Sequence, residues 1–259
     1  MIPTILHQIW IGQPIPDAQK ALCENNSRAI GKNWTYKLWG NQDLNKSNFP
    51  RTWKYIKKSV KYGIQRRKIW YAQISDLMRY EILYHYGGVY MDAGIEVTKS
   101  FDQILEKANK NKQSLIVCNQ DSPNNCEPLK CGYGRIINEK TVYKKYISNS
   151  FIGSSPKSIY MERATSKNKL EKINLTNQGI NFQTGPSYLR SLFKKSTNVM
   201  VLPTHYIYPF NWYEIATSNS LSKDRCISLK KPKRKHVIGT NQLKQKIYLE
   251  FPCKKYPKS

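Results

Sequence analysis

A chain of 259 residues is long enough for one α/β domain with a full core and requires no second one. Its 43 basic residues face only 17 acidic ones, a formal charge of +26. That field favours polyanions, anionic membrane surfaces or phosphorylated ligands, and says nothing about the fold. No apolar run approaches the roughly 18 residues of a membrane-spanning helix. Met1 leads directly into a strand-like segment, so no signal peptide is expected and the expected location is cytoplasmic.

In chain order, Thr4 to Ile11 reads as a buried first strand, with Gly12-Gln13-Pro14 as the turn that leaves it. Trp10 sits near the end of that strand, and His7 within it reads as a satisfied structural residue. Asp17 to Ile30 predicts a helix bracketed by Pro16 and Gly31. Thr35 to Trp39 alternates as a second strand, and Asn41 to Leu44 begins a capped turn. From Phe49 to Tyr71 the composition shifts. Lys54, Lys57, Lys58, Lys61, Arg66, Arg67 and Lys68 are interleaved there with Trp53, Tyr55, Tyr62, Trp70 and Tyr71. This is the pattern of a solvated helix face, or of a clamp for acidic or sugar acceptors or single-stranded nucleic acid.

The stretch from Ser75 to Val97 organises the rest. Ile74, Leu77, Met78 and Ile82 repeat at helical spacing. Gly87 can take the left-handed conformation that ends the helix, and Val89-Tyr90-Met91 then forms a short buried strand with Asp92 at its carboxyl end. Asp76 and Arg79, three apart, share one helix face. An acidic residue at a strand's carboxyl end is where open α/β sheets bind ligands.

Beyond Lys99, Phe101 to Ala108 predicts a helix, Ser114 to Cys118 a strand and Asn119 to Gly134 a polar loop. Asn149 to Gly153 predicts a strand and Pro156 to Lys172 a basic helix. Thr184-Gly185-Pro186 reads as a turn, followed by a helix from Ser187, a strand from Val199 to Leu202 and an extended run from Pro203 to Trp212. Lys230 to Lys235 packs five basic residues around Pro232, just before His236. The partition is a domain over residues 1–229 and a basic C-terminal extension over 230–259, packed on or near the active site. Cys23, Cys118, Cys126, Cys131, Cys226 and Cys253 show no zinc spacing and read as free thiols, with three disulfides as the alternative.

The block SDLMRYEILYHYGGVYMDAG, together with the opening IPTILHQIWIG, FIGSSP at 151–156 and TGP at 184–186, resembles one family. It is similar to GT-A fold glycosyltransferases with a DxD sugar-binding region, of the group related to the glucosylating bacterial toxins. The resemblance implies an α/β fold with a mostly parallel central sheet flanked by helices. It also implies retaining transfer of a sugar from a nucleotide-sugar donor, UDP-sugar before GDP-sugar, to a glycan or protein hydroxyl. By the same resemblance, Trp10 stacks on the base, Asp76 and Arg79 hold the donor sugar, Tyr90 lies against the ribose and Gly185 turns close to the donor. Asp92 would reach the ribose or a metal, Mn2+ or Mg2+. The family's second aspartate is replaced by Gly94, so DxD reads Asp92-Ala93-Gly94. Glu96 and His236 are then the further metal candidates.

Three outcomes stay open at that departure: Asp92 holds the metal with phosphate and water, basic residues replace the metal, or the site is silent. A silent sugar-binding module and a polyanion-binding protein are the alternatives to an enzyme. The expected partners are the nucleotide-sugar donor and an acceptor glycan or glycoprotein, acidic in one version. Peripheral membrane contact through the basic surface is a further partner class, and nucleic acid is not expected.

Overall fold

The computed structural model describes residues 1–65, 71–120, 134–137, 140–143, 146–166, 177–193, 196–203, 206–207 and 239–240. The first strand, β1 (Ile5–Ile9), is followed by α1 (Asp17–Ala29), β2 (Thr35–Trp39), α2 (Trp53–Gln65), α3 (Tyr71–Tyr86), β3 (Gly88–Met91) and the short β4 (Glu96–Val97). Then come α4 (Asp102–Lys110), β5 (Leu115–Gln120), β6 (Gly134–Ile137), β7 (Lys140–Tyr143), β8 (Tyr146–Ser154), α5 (Ile159–Thr165), α6 (Asn177–Gln183), α7 (Pro186–Leu192), β9 (Val199–Leu202) and β10 (Gly239–Thr240).

Six strands form the central sheet in the order β2-β1-β3-β8-β5-β9. β1 runs parallel to β2 and β3, and β5 runs parallel to β9. β8 alone is reversed, antiparallel to both of its neighbours. The sheet is mostly parallel, as expected, and is made mixed by this one reversed strand. Parallel neighbours need a crossover, usually a helix. Between β5 and β8 the described residues form the antiparallel pair β6 and β7.

The strands' period-2 alternation divides the core between the two sheet faces. Ile9, Tyr90, Leu115, Val117 and Ile152 belong to a cluster with side chains of α2, α3, α5 and α7. Leu6, Val89, Met91, Ile116 and Phe151 belong to the other, with Ile104, Leu105 and Ala108 of α4 and with Ile30 after α1. The architecture is a sheet between two helical layers.

α3 is buried along most of its length, Asp76, Arg79 and Glu81 included. It ends as expected at Gly87, with φ +65°, and Gly88 follows at φ +87°. A Cβ at Gly88 would stand 2.5 Å from the carbonyl oxygen of Ile5. Glycine is thus what lets β3 enter the sheet beside β1. His7 ties this corner together: its Nε2 lies 3.0 Å from the carbonyl of Gly87, and Trp39 Nε1 donates to its Nδ1 at 3.3 Å. Burial lowers its pKa to about 4, against the opposing Gly87 hydrogen bond, so it is a neutral strut.

The basic helix expected over 156–172 is described only as Ile159–Thr165, capped by the Ser158 side chain. Residues 167–176, Cys126, Cys131, Cys226, Cys253, and the extension apart from Gly239 and Thr240 lie outside the described residues. Cys23 and Cys118 are free and buried. No helix among the described residues is long and apolar enough to cross a membrane.

Candidate active site

β1 and β3 run parallel, with His7 opposite Tyr90. Trp10 and Asp92 therefore emerge at the same edge, the carboxyl ends of adjacent strands. α3 brings Asp76 and Arg79 to that edge. Arg79 Nη2 is 3.2 Å from Asp76 Oδ1 and Nη1 is 3.4 Å from Asp92 Oδ1. Nη1 also donates to the carbonyl of Asn149 at 2.6 Å, and Nε and Nη2 donate to the backbone and hydroxyl of Ser75. The guanidinium lies 4.4 Å from the centre of the Tyr90 ring, and the Tyr90 hydroxyl donates to Asp92 Oδ1 at 2.6 Å. Asp76 and Arg79 are each 5% exposed, whereas the Asp92 side chain is 44% exposed.

This arrangement separates the roles of the two carboxylates. Asp76 Oδ1 accepts from Asn149 Nδ2 at 2.8 Å and faces Arg79; Oδ2 accepts from the Thr184 hydroxyl at 2.9 Å. A carboxylate offers about two lone-pair sites per oxygen, so Oδ2 keeps one. Burial pushes the Asp76 carboxyl up to about 6; Arg79 and Thr184 pull it down, Asp92 adds to the rise, and Asn149 pulls it down. Burial works against the charge of Arg79 too, but Tyr90, Asp76 and Asp92 outweigh it and hold its pKa above the ordinary value. Every nitrogen of Arg79 is already engaged. Tyr90, 1% exposed, is covered by Arg79 and committed to Asp92, so in this structure it presents no open face for a ribose.

The backbone around Asp92 is held from outside. Ile95 N–H closes a turn onto the Asp92 carbonyl at 3.0 Å. Gln8 Nε2 donates to the same carbonyl at 3.3 Å, and Gln19 donates to the carbonyl of Ala93. Asn26, fully buried, donates to the Ile95 carbonyl and accepts from Val97 N–H, both at 2.8 Å. Within this turn Ala93, Ile95 and Val97 are buried, while Asp92, Gly94 and Glu96 share the more open side. The sequence singled out none of Gln8, Gln19, Asn26 and Asn149. Polar residues in polar surroundings carry no periodic signal that marks them as buried.

Trp10 is partly buried and donates from Nε1 to the carbonyl of Gln13 at 3.0 Å. Gly185 is buried, and a Cβ there would come within 2.9 Å of the Asn181 backbone. That close turn lets Thr184 reach Asp76. Glu96 lies in β4, opposite Thr240 of β10. His236 lies outside the described residues.

No group of three acidic, histidine or cysteine side chains suited to a metal occurs among the described residues. Asp92 Oδ2, however, has no partner among them, and a hard divalent cation takes such a donor set, one carboxylate completed by phosphate oxygens and water. The site fits Mn2+ or Mg2+ on those terms.

Residues 16–111 match the family described as the glycosyltransferase sugar-binding region containing a DXD motif. Over this stretch the chain resembles a glycosyltransferase sugar-binding region. The chain is 33% identical over 111 residues to inositol phosphoceramide mannosyltransferase 1 of Schizosaccharomyces pombe, a match covering 41% of this chain and 32% of that protein. It is 34% identical over 110 residues to an uncharacterised glycosyltransferase of Acanthamoeba polyphaga mimivirus, covering 40% of each. The chain thus spans well under half the length of the curated relatives it matches. Among solved structures, the PaToxG glycosyltransferase is similar with a TM-score of 0.49 at 11% identity, over 98% of this chain and 79% of that one. The mixed sheet between helical layers is consistent with a GT-A fold, and the matched region contains Asp76, Arg79, Tyr90 and Asp92.

Proposed function

We propose that this protein is a retaining hexosyltransferase that moves a sugar from a nucleotide-sugar donor to an acceptor hydroxyl. The observation that carries the reading is the Asp76–Arg79–Asp92 chain of contacts at the carboxyl ends of β1 and β3, inside the sugar-binding region. Trp10, at the same edge, offers a rigid aromatic face to the nucleotide base. Asp76 takes one sugar hydroxyl on the remaining lone pair of Oδ2. Arg79 acts as the strut between the two carboxylates, and the Tyr90 hydroxyl fixes the rotamer of Asp92.

Asp92 would hold Mn2+ or Mg2+, whose chemistry when bound is to neutralise the diphosphate leaving group. Gly94 adds no ligand, and Glu96 and His236 are the further candidates for that shell. In retention the acceptor hydroxyl approaches on the face that the diphosphate leaves, and the departing phosphate oxygen takes the proton. No separate base is needed, so catalysis rests on positioning and on charge stabilisation at the diphosphate. The S. pombe relatives are named inositol phosphoceramide mannosyltransferases, which supports a mannosyl donor beside other nucleotide-activated sugars and inositol phosphoceramide as an acceptor beside glycans and glycoproteins.

The test is release of free nucleotide from a panel of UDP- and GDP-sugars, with Mn2+ or EDTA, by wild type and Asp92→Ala. Turnover of one donor, abolished in the variant, is the expected result. Gly94 favours a second reading, a silent donor-binding module. A donor that raises the melting temperature without being turned over would establish that reading instead.

A further inference from the structure

We propose that the outer face of α2 docks on the surface of an anionic lipid bilayer. The inner face of this helix is spoken for: Tyr55, Ile56, Ser59 and Gly63 are buried, and Ser59 donates to Gln73 Oε1 of α3 at 2.7 Å. The outer side borders a cavity of about 720 Å³ lined by Leu44, Trp53, Val60 and Ile64, the first three half-packed on the core, with the buried Ile56 also reaching it. Four lysines complete that lining, and no acidic residue contributes to it. Ile64 is 64% exposed. Lys54, Lys57 and Lys61 recur at helical spacing, all exposed, and none of the three forms an ion pair with a described residue.

An apolar groove rimmed by cations complements a surface that offers hydrocarbon and negative charge together. The boundary between headgroups and acyl chains of an anionic leaflet supplies both, the lysines meeting phosphate and carboxylate while Ile64 and Trp53 reach inward. Single-stranded nucleic acid offers the charge and stacking surface but no aliphatic depth for Ile64. The inference does not depend on the donor-site reading.

The test is co-sedimentation of the full chain with vesicles of phosphatidylcholine, alone or with about one-third phosphatidylserine. Wild type is expected on the mixed vesicles only. Each interfacial lysine is worth roughly fivefold in partitioning, so Lys54→Ala, Lys57→Ala and Lys61→Ala combined should lower binding about 100-fold. The charge-matched set Lys20→Ala, Lys107→Ala and Lys110→Ala, exposed on α1 and α4, should lower it far less. Ile64→Ser should weaken binding to the mixed vesicles at low salt while leaving the salt dependence as in wild type, since it removes no charge. Every substituted side chain is exposed, so circular dichroism should show all variants folded. Absence of vesicle binding, equal losses from the two lysine sets, an indifferent Ile64→Ser, or displacement from vesicles by an oligonucleotide would each overturn the proposal.

Discussion

Asp76→Asn keeps the shape of the side chain at the centre of the site and removes its charge. In the folded protein this carboxyl is raised from the ordinary 3.8 to about 6, chiefly by burial. The folded state therefore holds the proton more tightly than the unfolded one. Between about pH 4 and pH 6 the folded chain binds more protons, so stability falls as pH rises through this window. A shift of roughly two pH units corresponds to about 3 kcal/mol lost from this one group. Asparagine does not titrate, so the variant lacks that loss. It cannot satisfy Asn149, Arg79 and Thr184 as the carboxylate does, which costs about 1 kcal/mol for one lost hydrogen bond. The variant should be about 1 kcal/mol less stable than wild type near pH 4 and about 2 kcal/mol more stable near pH 7.5. Donor turnover should fall about 10- to 100-fold, the worth of one charge-assisted hydrogen bond. Urea unfolding followed by tryptophan fluorescence at the two pH values reads the crossing directly. An offset of the same sign and size at both pH values would refute the assignment of the buried charge to Asp76.

Two further substitutions separate loop geometry from global stability. Asn26→Ala strands the Ile95 carbonyl and the Val97 N–H; it should cost about 2 kcal/mol in urea unfolding and lower turnover with little change in thermal shift by the free nucleotide. Glu81, 0% exposed, accepts from the N–H groups of Arg51 and Thr52 at the start of α2 at 2.7 and 2.8 Å. Glu81→Gln sets an amide donor against one of those donors, so the urea midpoint should drop by the equivalent of about 2 kcal/mol while kcat at low temperature stays near wild type.

The central helix, its glycine stop and the strand after it were legible because three signals agree there: helical spacing of apolar residues, Gly87 at the end and a short β-rich run. Legibility ended where partners come from far away in the chain. Thr184 meets Asp76 across 108 residues, and Asn149 meets it across 73. No local pattern encodes either contact. The direction of β8 escaped for a related reason: apolar alternation fixes which residues face the core but is the same whichever way the strand runs. The motif singled out Asp76, Arg79 and Tyr90 but did not show how deeply burial commits them to one another and to Asp92.

The turn from Asp92 to Val97 owes its path to Gln8, Gln19 and Asn26, which grip carbonyls and an N–H rather than side chains. Its course is therefore indifferent to what stands on its open side. Exchange of glycine for a carboxylate at position 94, in either direction, changes the chemistry without repacking its surroundings. A side chain gained or lost at position 94 thus leaves the path of the backbone to its three polar anchors.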